Sequence, residues 1–170
     1  MKRSAREAET WRKLDHPNIL PFLDVLKRSD YIYLVSPFIE NGSLMEFIQR
    51  HPDVDRARLV SPIVAFLNHV SYRMVQIQEA GAGIIYLHQC GIVHGDIKGA
   101  NILISDDIRA LLCDFGLARP YHMNTSTAMK GVGTIRWQSP QLINGGQKDF
   151  KSDVWAFAMT IYEVRLIFTQ

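Results

Sequence analysis

The sequence predicts an α+β fold that is mainly helical, and three observations carry the prediction. Hydrophobic residues make up 47% of the chain and charged residues 21%, the balance of a polypeptide that folds around a core. Two short apolar runs, Ile102-Leu103-Ile104 and Ala110-Leu111-Leu112, flank the turn-like Ser105-Asp106-Asp107 and read as a β-hairpin. Longer apolar stretches on either side, about residues 76–90 and 153–168, have the length of helices. At 170 residues one domain is expected, since a domain of about 150 residues already buries ~68–70% of its unfolded surface.

Taken in order, residues 3–14 place Ala5, Ala8 and Trp11 at helical spacing among charges, and His16-Pro17 stops that helix. Tyr31-Ile32-Tyr33-Leu34-Val35 is β-branched and aromatic, a strand that runs into the loop signals Ser36-Pro37 and Asn41-Gly42. Ser43 with Glu46 three residues on forms a capping box for a short helix closed by Pro52. The helix over 76–90 has Gly91 where a left-handed cap is wanted. Residues 117–140 read as loop. A last helix opens at Asp153, and its unbroken hydrophobicity predicts burial on most sides.

A formal net charge of +2 offers no broad basic face, so no nucleic-acid partner is expected. The most apolar run, residues 61–70, is far shorter than the ~20 residues of a membrane span, and no membrane partner is expected either. Two cysteines, Cys90 and Cys113, make no disulfide framework, which points to a reducing, cytoplasmic setting.

The chemistry gathers on two loops. His94-Gly95-Asp96-Ile97-Lys98-Gly99-Ala100-Asn101 lies between the 76–90 helix and the hairpin, and Asp114-Phe115-Gly116 follows the second hairpin strand. Two carboxylates, an amide and a lysine at the ends of rigid elements suit phosphoryl transfer, where catalysis is positioning plus neutralisation of spreading charge. In that chemistry Asp96 accepts the hydroxyl proton, Asn101 and Asp114 hold Mg²⁺, and Lys98 steadies the transferred group.

These residues resemble the protein kinase family, whose pattern is His-Arg-Asp-x-Lys-x-x-Asn followed by Asp-Phe-Gly. The offsets from Asp96 to Asn101, five, and from Asn101 to Asp114, thirteen, match it. So do residues 133–140, Gly-Thr-Ile-Arg-Trp-Gln-Ser-Pro, and residues 152–157, Ser-Asp-Val-Trp-Ala-Phe. The resemblance implies a protein-kinase-like α+β fold: residues 1–36 a remnant of the small lobe, 37–41 a hinge, and 42–170 an incomplete large lobe. It implies ATP and Mg²⁺ as cofactors and protein substrates with Ser/Thr hydroxyls. Lys98 with Thr134 is similar to Ser/Thr-directed members, and the Trp137 segment looks like the tyrosine-kinase-like group. By the same resemblance Glu7 matches the helix glutamate that pairs with a small-lobe lysine. Ser36 falls at the gatekeeper position, Pro37 offers adenine a carbonyl, and Ile39 offers an amide donor. Leu103 resembles the residue packed under adenine, and Cys113 joins these nucleotide-binding positions. Trp11, His94 and Phe115 match the family's hydrophobic spine.

Several departures shape the expectation. No glycine-rich loop or Val-Ala-x-Lys strand stands ahead of Glu7 in these residues, so transfer by this chain alone is expected to be very weak. A complete large lobe continues beyond the Asp153 helix, so uncovered apolar surface is expected. Gln141 stands in place of the glutamate of Ala-Pro-Glu, and Gly95 in place of the arginine that in many members holds a loop phosphate. Thr125, Ser126 and Thr127 are candidate phosphosites. Residues 61–74 read as an insertion ahead of the 76–90 helix. A non-catalytic kinase-like binding module is the alternative these departures favour.

Overall fold

The computed structural model describes residues 2–29, 31–51, 62–123 and 133–166, with the backbone alone at 2–3, 62–74 and 166. Helix α1, Lys2–Trp11, ends short of Pro17, which disfavours helical geometry at residue 16. Its Ala8 and Trp11 are buried. Strands β1, Asp24–Arg28, and β2, Tyr31–Val35, pair antiparallel with Lys27 opposite Ile32. Helix α2, Leu44–Arg50, starts on the capping box: Ser43 Oγ accepts from the Glu46 amide, and the Glu46 carboxylate accepts from the Ser43 amide at 2.7 Å.

Helix α3 runs Pro62–Gln89. Residues 62–74, expected as an insertion, thus form its first half, because the sequence from 63 to 80 contains neither Gly nor Pro to end a helix. Gly91 caps its far end with φ 70°. Then follow β3, Ile92–Val93, the hairpin β4, Ile102–Ile104, and β5, Ala110–Leu112, and β6, Arg119–Pro120. β3 pairs with β6, and β4 with β5, both antiparallel. Short helix α4, Pro140–Ile143, precedes α5, Phe150–Leu166.

The hairpin is the centre of the molecule, since Ile102, Ile104, Ala110 and Leu112 are wholly buried. Residues 18–20 lie along its β5 edge: the Leu112 amide donates to the Asn18 carbonyl and the Leu20 amide to the Leu112 carbonyl, each at 2.9 Å. Tyr86 of α3 adds to this join: its hydroxyl accepts from the Asp15 amide at 3.0 Å and its ring stacks on His16.

The Asp153 helix departs from its predicted burial. One stripe of α5 is buried, Ser152, Asp153, Ala156, Thr160 and Val164, but Val154, Trp155, Ile161 and Tyr162 are exposed. Apolar sequence alone does not bury a helix face; a partner element must lie against it, and among the described residues none covers that side. No described helix is long and apolar enough to cross a membrane.

The packing of α3 generates a prediction. Alanine is better than glycine inside a helix by ~1 kcal/mol, and at Gly81 an added Cβ would make ordinary 3.5 Å contact with the Phe157 ring. At Gly83 it would lie 2.8 Å from the Asn18 carbonyl oxygen and 2.9 Å from Leu112 Cδ1, an overpacking worth about 1–3 kcal/mol. Gly81→Ala should therefore raise stability by up to about 1 kcal/mol and Gly83→Ala lower it by about 1–2 kcal/mol. A Gly83→Ala denaturant midpoint that does not fall would refute the close approach of α3 to Asn18 and Leu112.

Candidate active site

The 94–101 loop is held from beneath by one buried carboxylate. Asp153, 1% exposed, accepts from the His94 amide at 2.8 Å and the Gly95 amide at 2.9 Å, and its Oδ2 lies 3.0 Å from His88 Nε2. His94 is itself fully buried. Its Nδ1 accepts from the Asp96 amide at 3.2 Å, which leaves Nε2 to donate to the Cys113 carbonyl at 3.1 Å. Phe115 packs on the His94 ring at 5.5 Å and on Trp11 of α1 at 5.6 Å. The three predicted spine residues thus form one continuous ring stack.

Asp96, Lys98 and Asn101 converge. Lys98 Nζ donates to Asp96 Oδ2 and to Thr134 Oγ, both at 2.9 Å. Thr134 donates to Asp96 Oδ1 through its amide at 3.1 Å and its hydroxyl at 3.2 Å. Asn101 Nδ2 donates to the Asp96 carbonyl at 2.8 Å and to Asp96 Oδ2 at 3.2 Å. Burial pushes the Asp96 carboxyl up, but the Lys98 ammonium and the Thr134 donors outweigh it and hold the group below the usual range. Asp96 is therefore an ionised acceptor at neutral pH.

Asp114 stands one link away. The Cys113 amide donates to the Asn101 carbonyl at 3.0 Å, which brings the two loops edge to edge. Asp114 is exposed and takes the left-handed conformation at φ 62°, with Oδ1 accepting from the Gly116 amide at 3.3 Å. That backbone state is uncommon for a residue with a side chain. Carboxylate and amide oxygens are the hard donors Mg²⁺ prefers, and that ion is commonly bound by one or two carboxylates with substrate phosphates supplying the rest. Among the described residues no group of three His, Cys, Asp or Glu side chains is placed to hold a metal without such help. Asn101 and Asp114 offer the kind of oxygen donors that would hold a magnesium ion.

The predicted nucleotide-binding positions lie on several elements. Ser36 and Pro37 are half-buried, with Ser36 Oγ donating to the Pro37 carbonyl at 3.3 Å. The Ile39 carbonyl accepts from the Gly42 amide at 3.1 Å, which turns the segment into α2. Leu103 bridges to Ser43, so β4 lies against the residues that follow 37–41. Burial pushes the Cys113 thiol up to about 12, with the Asp114 charge adding to the effect, and it stays protonated. Glu7 is half-buried on α1, the helix that packs against the 115–117 turn. A groove of about 680 Å³ lies elsewhere, between α1 and the β1–β2 pair, and holds none of these residues. Thr125, Ser126 and Thr127 lie outside the described residues.

Three further residues touch the site. The Glu163 carboxylate accepts from the Gly99 amide at 3.1 Å, Lys148 donates to the Gly95 carbonyl at 2.6 Å, and Arg119 donates to the Lys148 carbonyl. These contacts join residues 64, 53 and 29 positions apart, so no local pattern announces them.

Comparison with known proteins agrees with this architecture. The model of the family described as Protein kinase domain matches residues 1–169. A probable serine/threonine-protein kinase, kinX of Dictyostelium discoideum, is 28% identical over 159 residues, 94% of this chain and 13% of that protein. Another, SIS8 of Arabidopsis thaliana, is 30% identical over 161 residues, 93% of this chain and 14% of that protein. MAP3K epsilon protein kinase 1 of Brassica napus is 31% identical over 159 residues, 94% of this chain and 11% of that protein. The chain thus spans a small part of the length of the curated relatives it matches.

The lowered Asp96 value has a pH consequence. A carboxyl whose folded value lies below its unfolded value of about 3.9 stabilises the fold above that pH and loses the contribution as pH falls through the folded value. Asp96→Asn has no such titration. The stability difference between the parent and this variant should be constant from neutral pH to about pH 5 and shift against the parent below about pH 4. A difference flat down to the acid transition would contradict the donor cluster.

Proposed function

The chain belongs to the protein kinase domain family, and on that footing we propose that the whole protein passes a phosphoryl group from ATP to serine and threonine hydroxyls of protein substrates. The observation that carries this reading is the ionised Asp96, bound at once by Lys98, Asn101 and Thr134. The hydroxyl proton goes to the Asp96 carboxylate, and Lys98 supplies positive charge beside it. Asn101 and Asp114 would hold Mg²⁺, which supplies charge neutralisation on the phosphates when bound. Pro37 and Ile39 present backbone polar groups to adenine, with Ser36, Leu103 and Cys113 as further nucleotide-binding positions. Glu7 serves as the anchor for a lysine on a preceding strand. Within this reading residues 1–36 belong to the small lobe, 37–41 to the hinge and 42–170 to the large lobe.

The Ser/Thr direction is supported by the Lys98–Thr134 hydrogen bond and by the names of the relatives. The Trp137 segment supports the tyrosine-kinase-like group, and free thiols at Cys90 and Cys113 support a cytoplasmic setting. A second reading, a kinase-like binding module without transfer, draws on Gln141, which is exposed and whose backbone carbonyl accepts from the Gly146 amide. It also draws on the exposed apolar side of α5.

Two measurements test the proposal. In the whole protein Asp96→Asn should cut phosphate transfer by about 10²–10⁴-fold and leave nucleotide affinity unchanged; near-parental turnover would refute the role of Asp96. The 170 residues alone, without a glycine-rich loop among them, should titrate weakly or not at all with Mg-ATP in a calorimeter. A micromolar dissociation constant there would remove the argument that these residues need a phosphate lid.

A further inference from the structure

Gly95, the residue before Asp96, is gripped at its amide by α5 and at its carbonyl by the chain leading into that helix. Gly95 donates its amide to Asp153 Oδ1 at 2.9 Å, and its carbonyl accepts from Lys148 Nζ at 2.6 Å. Lys148 is 6% exposed, and a buried ammonium is costly unless hydrogen-bonded. It fills the space beside residue 95: a Cβ at Gly95 would lie 3.0 Å from Lys148 Cδ and 3.2 Å from the Leu117 carbonyl. Gly95 also sits at φ 81°, so backbone geometry and the lysine both disfavour a side chain there. The same Nζ is 3.3 Å from the Cβ position of Gly133, which is itself 3.5 Å from Asp96 Oδ1. One ammonium therefore stands between the loop of Asp96 and the loop of Thr134.

Its own backbone is fixed. Arg119 donates to the Lys148 carbonyl. Asp149 and Ser152 cap each other at the start of α5, with the Ser152 amide 2.7 Å from Asp149 Oδ1 and the Asp149 amide 2.9 Å from Ser152 Oγ. A planar peptide held at its carbonyl by Lys148 and at its amide by His94 Nδ1 has little freedom to rotate, and the direction of the Asp96 side chain follows from its plane.

We propose that Lys148 is a positioning residue for phosphoryl transfer, a buried cation that clamps the Gly95 carbonyl and so aims the Asp96 carboxylate. The proposal rests on the transfer reading of Asp96 given above. Charge-assisted hydrogen bonds are about twice as strong as neutral ones, so an equally long apolar side chain does not replace it.

The test compares Lys148→Met and Lys148→Arg in the whole protein. Lys148→Met should lower kcat by about 10²-fold with the KM for nucleotide unchanged, and Lys148→Arg should recover most of the loss. Parental kcat in the Met variant, a change confined to KM, or an Arg variant as slow as the Met one would each overturn the clamp. Amide exchange in the 170-residue chain reads the same claim without turnover. Lys148→Met should speed exchange at Asp96 and Thr134 and leave the amides of β4 and β5 protected; unchanged protection at Asp96 overturns the proposal. If the unsubstituted whole protein transfers no phosphate, the reading of Asp96 falls, and the exchange measurement alone decides the clamp. Should Lys148→Met not fold, Lys148→Gln, which sheds the charge and keeps a donor, takes its place with the same loss of kcat and the same exchange criteria.

Discussion

The arrangement of the site depends on a buried carboxylate that performs no chemistry. Asp153 is nearly inaccessible and is shared among two backbone amides and an imidazole. Removing a charge from water is expensive, and only several good donors offset that cost. Because two of those donors are consecutive amides of the 94–96 segment, satisfying the carboxylate and shaping the loop are one event. Everything that Asp96 does follows from where that segment is placed relative to α5.

The Trp11–Phe115–His94 stack carries the same constraint toward the other side of the molecule. Phe115 is fully buried between a helix that begins the chain and a histidine bound to the Cys113 carbonyl. Residues 18–20 add hydrogen bonds to β5 at a point where α3 presents a glycine. Helix α1 is thus attached to the hairpin through rings and through backbone, and Glu7 on that helix has a defined position relative to Asp114.

Much of this was legible where the cause is local. The Ser43–Glu46 capping box, the Gly91 cap and the hairpin over 102–112 each rest on residues within a few positions of one another, and each formed as expected. Fold class was legible because the loop motifs and the hairpin between them are consecutive. Strand β1 was not: Asp24-Val25-Leu26-Lys27-Arg28 lacks alternation, and it becomes a strand by pairing with β2. The exposed side of α5 was misjudged from hydrophobicity, which reports what a face tolerates and not what lies against it, whereas the resemblance to a longer large lobe did imply uncovered apolar surface. Asp96, Lys98 and Asn101 could be singled out from the loop chemistry and the family resemblance, whereas Lys148 and Glu163 reach the site, and Arg119 reaches Lys148, from afar in sequence and carry no signature.

The four donors on Asp96 have one more implication. Lys98 and Asn101 occupy one oxygen, and the amide and hydroxyl of Thr134 occupy the other, which uses the roughly four lone-pair sites of a carboxylate. Under the proposed transfer reading, an arriving alcohol would meet a saturated acceptor, so its entry would be an exchange rather than an addition. The threonine hydroxyl would be the resident rival in that exchange, and discrimination among alcohols would become a contest against an internal standard of the same functional group.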